Sequence, residues 1–113
     1  MSETPDCIFC KIVAGDMPTD KVYQDEHVTA FPDINPQAPT HLLIIPNHHT
    51  PSLSETVDPK IFSQCLQAVQ TIAQEKNLPD FRLVVNNGTD AGQTVFHLHF
   101  HLMAGRKLGW PPG

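Results

Sequence analysis

Basic residues are few: 7 Lys and Arg stand against 12 Asp and Glu, for a net charge of −5 with histidine neutral. A nucleic-acid surface needs a basic footprint, so that class of partner is excluded. An anionic small ligand is not excluded, because a local pocket of amides and imidazoles can oppose the global charge. Cysteines number 3, at Cys7, Cys10 and Cys65, and an odd count without a secretory signal builds no disulfide framework. No apolar run approaches about 18 residues, so no membrane span is expected. The opening Met1-Ser2-Glu3-Thr4-Pro5-Asp6 is polar and acidic; no signal peptide is expected, and a reducing cytoplasm is the default. Internal repeats and low-complexity stretches are absent as well.

What remains is a chain of 113 residues with 40% hydrophobic and 17% charged residues, which suits one globular domain over 1–113 and not a disordered segment. The 11 prolines fall mostly between apolar runs and read as rigid connections. Residues 1–5 are expected to be a flexible start. CIFCKIVA over 7–14 predicts a short helix ended by Gly15 and Pro18. Strands are predicted over 21–24, 27–31, 41–45, 81–86 and 95–103. Asp58 is a plausible N-cap with Pro59 at the first helical position. From there Ile61, Phe62, Cys65, Leu66, Val69, Ile72 and Ala73 recur at spacings of three and four, which predicts an amphipathic helix to about Lys76. Asn87-Gly88 and Ala91-Gly92 mark a turn-rich loop, and 106–113 should be an extended tail. This order gives an α+β domain: an antiparallel sheet of about five strands, one long helix and a short N-terminal helix.

The chemistry concentrates in His97-Leu98-His99-Phe100-His101. In a strand, residues i, i+2 and i+4 share a face. The three imidazoles therefore face one way, and Leu98, Phe100 and Leu102 turn to the core. Such a row can be a ladder on a solvated face. It can be a metal site, although His97 to His101 spans about 13–14 Å and three ligands would need a bend. It can be a catalytic centre, because imidazole titrates near neutrality, attacks phosphorus and moves protons. Cys7-Ile8-Phe9-Cys10 has C-x-x-C spacing, which in a reducing compartment points to metal or redox chemistry. No strand–helix–strand unit of thioredoxin type precedes it. Cys65 lies on the apolar helix face and reads as core.

His97 to His101 followed by Leu102 and Met103 resembles the His-φ-His-φ-His-φ-φ signature of the histidine-triad (HIT) superfamily. The segments Asp6–Ile12, Ala30–His41 (with PQAPTH at its end), Val84–Gly88, Gly92–Thr94 and Trp110–Gly113 (WPPG) are similar to its Hint branch of histidine triad nucleotide-binding proteins. The likeness runs over essentially the whole chain. It implies a HIT-like fold and a homodimeric purine nucleoside phosphoramidase that cleaves P–N bonds and releases AMP or GMP. It implies His99 as the nucleophile, forming a nucleotidyl-histidine intermediate. His101 and His41 would border the phosphate and assist proton transfer. Gly92, Gln93 and Thr94 would meet the phosphate oxygens, with Thr94 standing where the family usually has serine. Asp33 would accept from the ribose hydroxyls, Asn86 would lie near the phosphate or leaving group, and Ile8, Phe9, Phe31, Ile34 and Leu43 would form the base cleft. The dimer contact would be the long helix with Phe81 to Asn86, and Trp110 would reach toward the partner's cleft. The alternatives are a dinucleoside polyphosphate hydrolase and a non-catalytic nucleotide-binding or scaffolding module.

The resemblance also implies zinc. Bacterial histidine-triad proteins and the related galactose-1-phosphate uridylyltransferases hold it through such a cysteine pair. Carried over, the ligands are Cys7, Cys10, His49 and His97, with His48 the neighbouring alternative. The expected ion is structural, with four protein ligands and no open position.

Overall fold

The computed structural model describes residues 6–113, so the expected flexible start at 1–5 lies outside the described residues. The elements run α1 (Ile8–Ala14), β1 (Tyr23–Gln24), β2 (Val28–Pro32), β3 (Thr40–Pro46), α2 (Pro59–Glu75), β4 (Arg82–Val84), a 3-10 turn (Thr89–Ala91) and β5 (Phe100–Ala104). The five strands form one antiparallel sheet in the order β1-β2-β3-β5-β4. This is the expected α+β architecture.

Strand alternation sorts the core into two layers. Val28, Ala30, Leu42, Ile44, Phe100 and Leu102 face α2, where they meet Cys65, Ala68, Val69 and Ile72. On the opposite face Phe31, Leu43 and Ile45 pack against Phe9 and Ile12 of α1. The sheet is thus covered on both sides, by α2 fully and by the shorter α1 only in part. Burying each Val or Ile side chain on this scale is worth about 1.5–3 kcal/mol. The uncovered part of the α1 face is where a cleft opens.

Local chemistry sets the helix ends as expected. Asp58 accepts from Lys60 N at 3.0 Å, and Pro59 occupies the first turn, where its missing N–H costs nothing. Cys7 is the N-cap of α1, its sulfur accepting from Cys10 N at 3.4 Å. The two cysteines therefore stand together at the start of one helix.

One expectation is corrected. The strand expected over 95–103 is extended in the sheet only from Phe100 to Ala104. The register pairs Ile44 with Phe100, so the next partners would be Ile45 and Pro46. Pro46 has no N–H to give, and its carbonyl is taken by the His97 ring at 2.8 Å. Leu98 N donates instead to Thr50 O at 2.7 Å. Residues 95–99 nevertheless keep their alternation: Leu98 is in the α2 layer, and His97 and His99 lie on the other side, where both rings meet Phe9 edge-on. The solvated ladder is excluded, because His97 is 0% exposed and His99 is also buried. The strand expected over 81–86 narrows to Arg82–Val84. The tail over 106–113 is irregular, with Trp110 82% exposed and the Arg82 guanidinium 5.9 Å from its ring. Among the described residues no helix is long and apolar enough to cross a membrane.

Candidate active site and metal centre

β2, β3 and β5 place Phe31, Leu43 and His101 in one row across the sheet, on the face turned toward α1. His41 sits two residues before Leu43 and so shares that face. Asp33, just past β2, donates its main-chain N–H to His41 O at 2.9 Å, which brings its carboxylate beside the imidazoles. A cleft of about 580 Å³ opens here. Phe9, Phe31 and Leu43 form its buried apolar floor, and Ile8 and Ile34 stand exposed on its lining. Asp33, Thr94, His99 and His101 supply polar groups on one side of it, and Thr19 and Asp20 also line it.

The His99 ring is oriented by one short bond. Its Nδ1–H donates to His97 O at 2.7 Å, which leaves Nε2 unprotonated in the neutral ring. Phe9 meets the ring edge-on at 5.2 Å and His101 lies at 5.1 Å between centroids. Burial pushes the His99 pKa below its ordinary value, so the ring stays neutral and able to attack. His41 Nδ1 accepts from Gln37 N at 2.9 Å, and His41 Nε2 lies 2.9 Å from His101 Nδ1. Asp33 Oδ2 is 3.4 Å from His41 Nε2 and 3.9 Å from His101 Nδ1. Burial, with smaller contributions from His99 and His41, lowers His101 to about 4.

The loop before the histidines is held by its own turns. The amides of Ala91, Gly92 and Gln93 donate to Gly88 O, Thr89 O and Gly88 O. The Gln93 side chain is buried; its Oε1 accepts from Gly88 N, and its Nε2 donates to Pro51 O and Val95 O. It braces the loop from inside, while the exposed Thr94 lines the cleft. Asn86 lies beside Gly92 and outside the cleft lining.

His97 turns away from this cleft. Its Nε2–H donates to Pro46 O, leaving the Nδ1 lone pair for a second cluster. That atom is 3.3 Å from Cys7 Sγ, 3.6 Å from Cys10 Sγ and 3.2 Å from His49 Nδ1, and Cys10 Sγ is 3.4 Å from His49 Nδ1. A tetrahedral zinc with bonds of about 2.0–2.1 Å to nitrogen and about 2.3 Å to sulfur has N···N edges of roughly 3.3–3.4 Å and N···S edges of roughly 3.5–3.6 Å. The four donor atoms stand close to those edges, so the residues fit such an ion. His49 belongs to the cluster, and its neighbour His48 is exposed. A second group of donor type, Asp33 with His41 and His101, lies in the cleft itself. Sequence reasoning named every one of these side chains but missed the Gln37 amide. A main-chain contact to an imidazole leaves no residue-type signal.

A HIT domain model matches residues 14–108. An uncharacterised HIT-like protein of Synechocystis is 45% identical over 111 residues, covering 96% of this chain and 97% of that relative. The 14 kDa zinc-binding protein of Zea mays is 42% identical over 111 residues, covering 94% and 87%. Among solved structures, a HIT family hydrolase from Legionella pneumophila superposes with a TM-score of 0.91 at 42% identity, covering 96% of this chain and all of that one. A histidine triad protein from Clostridium difficile gives 0.92 at 46% identity, covering 95% and 96%. Matched over most of its length in sequence and in fold, the chain belongs to the HIT domain family.

Proposed function

We propose that the protein is a hydrolase of purine nucleoside 5′-phosphoramidates, working through a nucleotidyl-His99 intermediate. The observation that carries this reading is the buried His99 ring, its Nδ1–H bonded to His97 O at 2.7 Å and its opposite nitrogen unprotonated at an apolar cleft. In the first step the Nε2 lone pair of His99 attacks the α-phosphorus and the P–N bond breaks. The departing amine takes a proton that His101 Nε2–H would relay from water, leaving a hydroxide equivalent. The positive charge that develops on the His99 ring is balanced through Nδ1–H by the His97 carbonyl. In the second step that hydroxide equivalent attacks phosphorus and the P–Nε2 bond breaks. A nucleoside 5′-monophosphate leaves and neutral His99 returns. Thr94 would donate to a phosphate oxygen and Asp33 would accept from the ribose, and their positions on the cleft lining support both roles.

Cys7, Cys10, His49 and His97 would hold a structural zinc ion, which would tie the N-terminal segment to the start of the histidine segment and leave the chemistry to the imidazoles. The zinc-binding relative from maize supports zinc as the ion, and the Cys7/Cys10/His49/His97 cluster supports where it would sit. A cytoplasmic homodimer completes the proposal. The edge strand β4 and the exposed Leu66 and Phe81 support a second copy docking there.

The test is AMP release from adenosine 5′-phosphoramidate at neutral pH. Wild type should turn over and His99→Ala should not. Equal rates would remove His99 as nucleophile, and AMP binding without turnover would favour a binding module.

A further inference from the structure

Asp33 Oδ2, His41 Nε2 and His101 Nδ1 lie within 4.8 Å of one another, a spacing that a transition-metal ion could bridge. The other end of the His41 ring decides against it. His41 Nδ1 faces the Gln37 N–H at 2.9 Å and must accept from it. A neutral imidazole has one proton, so that proton sits on Nε2. The Asp33 carboxylate oxygen, 3.4 Å from Nε2, agrees, since it can only accept there.

We propose that the Gln37 main-chain N–H is a positioning group that locks His41 as its Nε2–H tautomer, making it a standing donor to His101 and closing the Asp33/His41/His101 cluster to metal ions. The consequences run along the chain of contacts. His101 Nδ1 is occupied as an acceptor, so its own neutral proton sits on Nε2, the nitrogen turned away from His41. A proton on His41 Nδ1 would set an N–H against the Gln37 N–H at 2.9 Å. His41 therefore orients the proton of His101 through its own Nε2–H. To ligate an ion His41 would need a bare Nε2, which the same clash forbids.

The Gln37 peptide is itself held from its other side. Arg106 Nε donates to Gln37 O at 2.9 Å, and the Gln37 amide side chain donates to Asn35 O at 3.1 Å. The main chain, not the glutamine side chain, makes the contact with His41.

Histidine nitrogen NMR on the full, zinc-loaded chain tests the lock. His41 should appear as the Nε2–H form, with a scalar coupling across the bond from Gln37 N to His41 Nδ1. Replacing the residue-37 amide by an ester, or Gln37→Pro, removes the N–H and should mix the two tautomers. Gln37→Ala keeps the N–H and should leave the spectrum as in wild type. Turnover of the phosphoramidate should fall roughly two- to tenfold in the ester and proline forms only, the range of one hydrogen bond. A proton on His41 Nδ1, a missing coupling in wild type, or a tautomer unchanged by the ester overturns the proposal. So does broadening of the His41 and His101 signals by added Ni²⁺ in wild type. The turnover arm rests on the proposed reaction. The tautomer arm does not, so failure of one is distinguishable from failure of the other.

Discussion

Three glycine-to-alanine substitutions separate two energies that the fold combines. At Gly109 an added Cβ meets nothing within 4 Å and the backbone φ lies outside the left-handed region. At Gly88 the space is also open, but φ is +94° with ψ 162°, a region nearly reserved for glycine. At Gly105 φ is +100°, and the new carbon would stand 2.8 Å from Pro39 Cβ and 3.1 Å from its Cγ. Backbone strain of this kind costs about 1–3 kcal/mol. Overpacking against a rigid ring costs about 1–3 kcal/mol more. Gly109→Ala should therefore be neutral within about 0.5 kcal/mol, Gly88→Ala should lose about 1–3 and Gly105→Ala about 2–6. Urea unfolding reads these as midpoint shifts at constant slope. Pro39 ends the loop that carries Asp33 and Gln37 to His41, so Gly105→Ala should also slow turnover in the fraction that remains folded. Gly88→Ala and Gly105→Ala of equal cost, or Gly109→Ala as damaging as either, would refute the reasoning.

Three further outcomes are expected. Stripping metal with a chelator should lower the thermal midpoint and turnover together, both returning on zinc addition; a protein whose midpoint ignores the chelator would count against the four-residue centre. His101 is held near 4 in the fold against 6.5 ordinarily, so the unfolded chain binds more protons between those values. Its contribution to stability should be complete above pH 6.5 and lost as pH falls toward 4; His101→Asn should flatten the decline in urea midpoint, and parallel declines would contradict it. Trp110→Ala should leave stability within about 1 kcal/mol, since the ring is mostly exposed and lies 5.9 Å from the Arg82 guanidinium. Its effect should appear as altered preference among leaving groups, and an unchanged substrate profile would argue against a role for the tail.

Much of the fold was legible because period and punctuation agreed. The α2 repeat, the Asp58-Pro59 start and the proline-bounded HLLII run all act through local chemistry that the sequence displays. The end of β5 was not legible. Its alternation continues to Val95, but pairing stops where Pro46 lacks a donor and spends its carbonyl on His97. That is a property of the neighbouring strand. The Cys7/Cys10/His49/His97 cluster was legible as residue types, while His48 against His49 depended on which way one loop residue turns. Gln93 shows the opposite case. The resemblance offers its main-chain N–H to phosphate, while its buried side chain engages three main-chain groups, a bracing role that no motif displays. The Asp33–His41–His101 contacts arise from the β2–β3–β5 register, which periodicity alone does not specify.

His97 touches three partners with three different atoms: Nδ1 meets the cysteine cluster, Nε2–H meets Pro46, and its carbonyl receives the His99 proton. On the proposed function, coordination chemistry and phosphorus chemistry would thereby be wired in series through a single residue. The entropy of aiming His99 would be spent once, during folding, and not at each encounter with substrate. A lesion at either cysteine would accordingly surface as slower bond-breaking at unchanged nucleotide affinity, a defect of aim and not of recognition.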